Sequence, residues 1–127
     1  MFAGKRPTNL GISSGKLAPC PDTPNCVSSQ SDDPEHSIKP LPYVAIAEVK
    51  KVVENMERTT IIEESENYLY AEFKSKLMGF VDDVEFHRDD INQVVNVRSA
   101  SRLGKSDLGV NRKRVEAIRE KLEAIEN

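Results

Sequence analysis

No stretch of this 127-residue chain approaches the ~20 consecutive apolar residues that cross a bilayer. Met1 to Ala18 likewise lacks an apolar core of the roughly 7–15 residues that a secretory signal carries, so a cytoplasmic location is expected. Cysteine occurs only at Cys20 and Cys26. Two sulfurs cannot complete a zinc site, and adding His36 and Asp22 gives a spacing unlike any structural zinc pattern, so neither metal nor cofactor is expected. A local disulfide and a pair of reduced thiols both stay open: prolines stiffen the intervening loop, while a reducing cytoplasm favours the thiols. There is no surplus of positive charge either. A net charge of −3, with 38% hydrophobic and 31% charged residues, describes a soluble globular chain with no call for nucleic acid or membrane. The last absence is a catalytic motif. Gly104-Lys105-Ser106 ends like a phosphate-binding loop, but Ser99 stands where that loop needs its first glycine. Arg112-Lys113-Arg114 has no aromatic platform of the kind that stacks single-stranded bases.

What is present fits one domain, large enough to bury roughly two thirds of its unfolded surface. All seven prolines fall by Pro42, in a stretch rich in Gly, Ser, Asn and Asp whose apolar residues are isolated. Residues 1–18 are expected to be a flexible segment, and 19–127 a single domain opening on an irregular proline-rich strap. From Tyr43 to Met56, Ile46, Val49, Val52, Val53 and Met56 recur at three and four, which predicts an amphipathic helix. Thr59–Glu64 and Tyr68–Lys74 form a predicted hairpin, and Phe80–His87 with Val94–Ser101 a second one around Arg88–Asn92. A final helix from Val110 to Ile125 carries Val115, Ile118, Leu122 and Ile125 on one stripe. The expectation is an α+β two-layer sandwich, a four-stranded antiparallel meander flanked by an N-terminal and a C-terminal helix.

The polar residues cluster around the second hairpin and the last helix. Arg112, Lys113 and Arg114 occupy a helical first turn, where the partial positive charge and unpaired N–H groups disfavour cations unless something negative is close. Pairing Phe86 with Val95 and Val84 with Val97 sets Asp82 opposite Ser99 on the core face, and Asp83 opposite Arg98 on the other. A carboxylate in the position of Asp82 must be paired. It either braces the last helix as part of a structural network or belongs to a pocket for an anionic ligand. That pocket would be lined by Asp82, Arg98, Ser99, Ser101, Arg102, Asp107, Asn111, Arg112 and Arg114. Tyr43, Tyr68 and Tyr70 would suit a protein interface instead. His87 reads as an exposed turn residue, and His36 as a local cap in preference to a ligand.

Several segments together resemble a known family: Cys20-Pro21-Asp22-Thr23-Pro24-Asn25-Cys26-Val27-Ser28-Ser29, His36-Ser37-Ile38, Tyr70-Ala71-Glu72-Phe73-Lys74-Ser75, Gly79-Phe80-Val81-Asp82-Asp83-Val84-Glu85-Phe86, and Val97-Arg98-Ser99-Ala100-Ser101-Arg102 with Ser106-Asp107-Leu108-Gly109-Val110-Asn111-Arg112. From about Pro19 to Arg119 the chain is similar to the Domain of Unknown Function 1499 family of bacteria and plants. The resemblance implies no established activity, catalytic residues or cofactor, and some family members look exported, membrane-linked or plastid-targeted. The expected function is therefore a small noncatalytic module binding an anionic small molecule or a partner protein. The alternative is a hydrolase or thiol-dependent enzyme using Cys20 or Cys26 with Asp82 and an arginine. Oligomeric state is left open.

Overall fold

The computed structural model describes residues 4–76, 79–103 and 109–126. Its elements in chain order are β1 (Cys26–Ser28), α1 (Ile46–Glu54), β2 (Thr59–Glu64), β3 (Tyr68–Lys74), β4 (Val81–Asp89), β5 (Val94–Ser101) and α2 (Val110–Glu126). The alternating strands and the two amphipathic segments thus fold as their periods dictate. β2 to β5 form the expected antiparallel meander. The sheet, however, has five strands in the order β1-β5-β4-β3-β2. β1 comes from the proline-rich stretch, which is therefore more than a strap. Cys26, Val27 and Ser28 pair with Ala100, Ser99 and Arg98 and cover what would otherwise be a bare edge of β5. Further along, Leu41 bridges to Val95.

The second hairpin keeps its faces but not its expected register. Phe86 lies opposite Val97, Val84 opposite Ser99 and Asp82 opposite Ser101. The cause is the turn: Asp89 accepts hydrogen bonds from the Ile91 and Asn92 backbone N–H groups, and Gln93 takes a left-handed φ of 55°. β4 consequently runs on to Asp89, and His87 lies within the strand, half-buried, instead of in the turn. A shift of two residues leaves every side chain on its original face. It does overturn the cross-strand pair expected between Asp83 and Arg98, since Arg98 now faces Glu85 and Asp83 faces Ala100. Phe80, expected to open the strand on the core face, precedes it and is 40% exposed.

One face of the sheet carries the apolar core. Leu69, Ala71, Phe73, Val84, Phe86, Val95 and Val97 meet Ile46, Val49, Val52 and Val53 of α1 and Val115, Ile118 and Leu122 of α2. Burying each of these side chains other than Ala71 contributes about 1.5–3 kcal/mol before the entropy of ordering it is charged against it. α1 begins at Ile46, not Tyr43, because Ala45 is extended (φ −63°, ψ 146°). Ile125, the last member of the α2 stripe, is exposed. The opposite face of the sheet is polar, and residues 4–18 lie against it: Leu17 is buried with Tyr68 and Tyr70, and Leu10 and Ile62 pack around them. Among the described residues no helix is long and apolar enough to cross a membrane.

Candidate functional site

Strand alternation divides the candidate site residues between the two faces of the sheet. On the helix side, Asp82, Ser99, Ser101, Asn111 and Arg114 form one network. The Arg114 guanidinium donates to Asp82 Oδ2 at 2.8 Å, Asn111 Oδ1 at 2.8 Å and Ser99 Oγ at 3.1 Å. Asn111 is fully buried and donates to the Asn25 carbonyl and to Ser101 Oγ. Arg114 also lies over the Phe73 ring, 4.8 Å from its centroid. The first turn of α2 contains no acidic residue. Among the described residues, the carboxylate that meets one of its cations, Arg114, is the protein's own Asp82.

Arg98 and Arg102 project to the other face. Arg102 donates to both oxygens of Asp83, at 2.9 and 2.8 Å, and to Glu72 at 2.6 Å. Tyr70 donates to Asp83 at 2.5 Å, and Arg6 reaches Glu72 at 2.6 Å. Burial, reinforced by the bond to Asp83, pushes the Tyr70 hydroxyl well above the ordinary phenol range. Burial alone would raise Glu72, but hydrogen bonds from Arg6 and Arg102 hold it below the usual carboxylate range. Glu85 is fully buried next to Arg98, Oε1 to Nη1 at 3.9 Å. Its Oε2 accepts from Tyr68 at 2.5 Å and from the Gly11 backbone at 2.6 Å. Burial nevertheless dominates, raising Glu85 and lowering Arg98 from their ordinary values.

Arg112 joins neither group. It donates to the carbonyls of Ser37 at 2.8 Å and Glu35 at 3.3 Å, while Arg119 reaches those of Pro40 and Lys39. α2 therefore clasps the loop between β1 and α1 with two guanidinium groups. Asp107 lies outside the described residues.

A cavity of about 920 Å³ opens elsewhere, between residues 9–22 and the loop 28–36. Asp22, Asp32 and Asp33 supply negative charge to its lining, Lys16 the positive, and Ser28, Gln30 and His36 further polar atoms. The Cys20–Cys26 disulfide forms part of its frame, with the two Cα atoms 5.7 Å apart. Both sulfurs are thereby withdrawn from the metal set with His36 and Asp22 and from thiol catalysis. Beneath it, Arg98 donates to the carbonyl of Pro19, a lining residue, and Gly11 of the lining donates to Glu85. Sequence reasoning missed this region because isolated apolar residues such as Leu10 and Leu17 show no period. Asp83-x-Glu85 on one strand and Tyr68-x-Tyr70-x-Glu72 on its neighbour were the available signal, a polar stripe too buried to be a solvent face.

The profile of the family described as Protein of unknown function (DUF1499) matches residues 16–122. The chain belongs to the DUF1499 family. It matches no curated protein and no solved structure. For this DUF1499 protein the matched region takes in the disulfide, the loop 28–36, the helix-side network and most of α2, whereas Arg6 and Gly11 of the other network, and Asn9 to Ser13 of the cavity lining, precede it.

Proposed function

We propose that this protein is a noncatalytic module that binds a small polar ligand in the cavity between residues 9–22 and 28–36. The observation that carries this reading is the cavity itself: at about 920 Å³, and lined by both apolar and hydrogen-bonding groups, it has the size and mixed character of a small-molecule site. An anionic ligand was expected from the arginines. Each of Arg98, Arg102, Arg112 and Arg114 already has an internal partner, and three aspartates line the cavity beside one lysine. That balance favours a ligand presenting hydroxyl, amine or other cationic groups. The disulfide further favours work in an oxidising compartment, where such a bond persists.

Native mass spectrometry of protein purified gently from its own host tests the reading. A retained small-molecule adduct is expected, lost in Ala18→Trp, which places a bulky ring at the cavity wall, with the thermal midpoint unchanged. A bare wild-type protein, or an adduct that survives the substitution, would move the site elsewhere and give weight to a protein partner.

A further inference from the structure

His36 borders the cavity on the loop between β1 and α1, its residue surface only 4% exposed. Its Nδ1 lies 2.9 Å from the carbonyl oxygen of Cys26. A carbonyl can only accept, so Nδ1 carries the proton and the neutral ring holds a lone pair on Nε2. Among the described residues no group donates a hydrogen bond to that lone pair, which is open to solvent on the cavity side. What faces it instead is negative: Asp33 Oδ2 stands 3.7 Å away. The Glu35 carboxylate completes a trio whose ligating atoms all lie within 4.8 Å of one another. A lone pair and two carboxylates repel unless a positive charge sits among them. A bound cation would satisfy all three ligating atoms at once.

We propose that Asp33, Glu35 and His36 form a divalent-cation site of the zinc or manganese class. One imidazole with two carboxylates is a donor set between the harder oxygen sites and the softer thiolate sites. A ligating histidine characteristically donates its other ring N–H to a backbone carbonyl, which fixes the tautomer, and His36 has that arrangement toward Cys26. The loop is prebuilt. Ser28 donates to the His36 carbonyl at 2.8 Å, and Asp33 Oδ1 is held by the Glu35 N–H at 2.9 Å, leaving Oδ2 turned to the ring. Arg112 holds the carbonyls on both sides of His36 and so positions the loop. Metal bonds of about 2.0–2.2 Å bring tetrahedral ligands to about 3.4 Å from one another. Asp33 and Glu35 are exposed side chains with room to close that difference. Three protein ligands leave a further coordination position for water or for a donor atom of a bound molecule. Cation binding at this trio does not require a ligand in the cavity.

The test uses tag-free full-length protein, stripped with chelator and titrated with Zn²⁺ and Mn²⁺ by calorimetry. Co²⁺ absorption supplies the coordination geometry. One ion per chain is expected, with a shift of the His36 Nε2 nitrogen resonance on Zn²⁺ addition. Replacing buried His36 endangers the loop, so the exposed carboxylates carry the mutational test. Asp33→Asn with Glu35→Gln should weaken binding at least about tenfold, the lower end of what even an outer-shell partner is worth, and leave the thermal midpoint unchanged. Binding only in the millimolar range, an affinity indifferent to the double substitution, or a His36 ring protonated on both nitrogens at neutral pH would overturn the site.

Discussion

Arg114, on the first turns of α2, reaches Asp82 on β4 at 2.8 Å, so a cation at the start of the helix is neutralised by a carboxylate from the sheet. Both side chains are largely buried, at 12% and 10% exposure. Removing one partner of such a pair leaves a charge in a poorly solvated place and costs about 3 kcal/mol or more, whereas removing both with apolar groups of similar size costs far less. Arg114→Met should therefore lower the urea midpoint more than Arg114→Met combined with Asp82→Leu does. Simple additivity of the single losses would mean that the pair contributes no coupling.

The acid limb of stability is expected to run through Glu72. Its folded-state proton affinity lies below the usual carboxylate range despite burial, because Arg6 and Arg102 hydrogen-bond it. A group depressed in the folded state binds fewer protons there than in the unfolded chain, so its stabilisation is present above the ordinary carboxylate range and fades as pH falls through the depressed folded value. Glu72→Gln should cost stability at neutral pH and converge on wild type in acid. Glu85, raised by burial, has the opposite sign and gains relative stability as it protonates, which blunts the wild-type acid limb. Denaturant midpoints of both proteins from neutral pH to about pH 3 decide the matter; parallel curves would remove Glu72 from the account.

Reduction of the Cys20–Cys26 disulfide should cost about 2 kcal/mol, the entropy expected from a loop this short. Alanine at both positions should behave like the reduced protein, and the oxidised chain should gain two hydrogens in mass on treatment with dithiothreitol. A midpoint unmoved by dithiothreitol, despite that mass gain, would mean that hydrogen bonds such as Leu17 N–H to Gln30 and Ser28 N–H to His36 hold this region without the bond.

Much of the architecture was legible because its signals are periodic. The bounds of β2, β3 and β5 follow from β-branched and alternating residues, and the stripes Ile46-Val49-Val52-Val53 and Val115-Ile118-Leu122 meet the sheet as their spacing requires. β1 was hidden because three residues among prolines cannot show a period. The hairpin register was misjudged because Asp89 caps the turn with its side chain, a bond that apolar patterning does not report. The site was only partly legible. Alternation alone separates Arg98 from Ser99, yet both were gathered into one pocket because their chemistry suits an anion. The cavity was not legible at all, since it depends on residues 9–22 returning to β1 and to the loop that follows it.

Whether the N-terminal segment belongs to the folded unit can be read from one side chain. Leu17 is 5% exposed, packed with Tyr68 and Tyr70 on the polar face of the sheet, and its N–H donates to Gln30 at 3.0 Å. Truncating a leucine so buried to alanine costs about 2–5 kcal/mol, from the lost transfer energy and the cavity left behind. Leu17→Ala is expected to reduce the unfolding free energy by that amount and to raise hydrogen exchange at Gly11, whose N–H is bonded to Glu85. A change below about 0.5 kcal/mol, the ordinary range for surface substitutions, would place residues 4–18 outside the cooperative unit. The cavity would then be assembled only when a ligand supplies the missing contacts. The same measurement thus separates a preformed site from one that orders on binding.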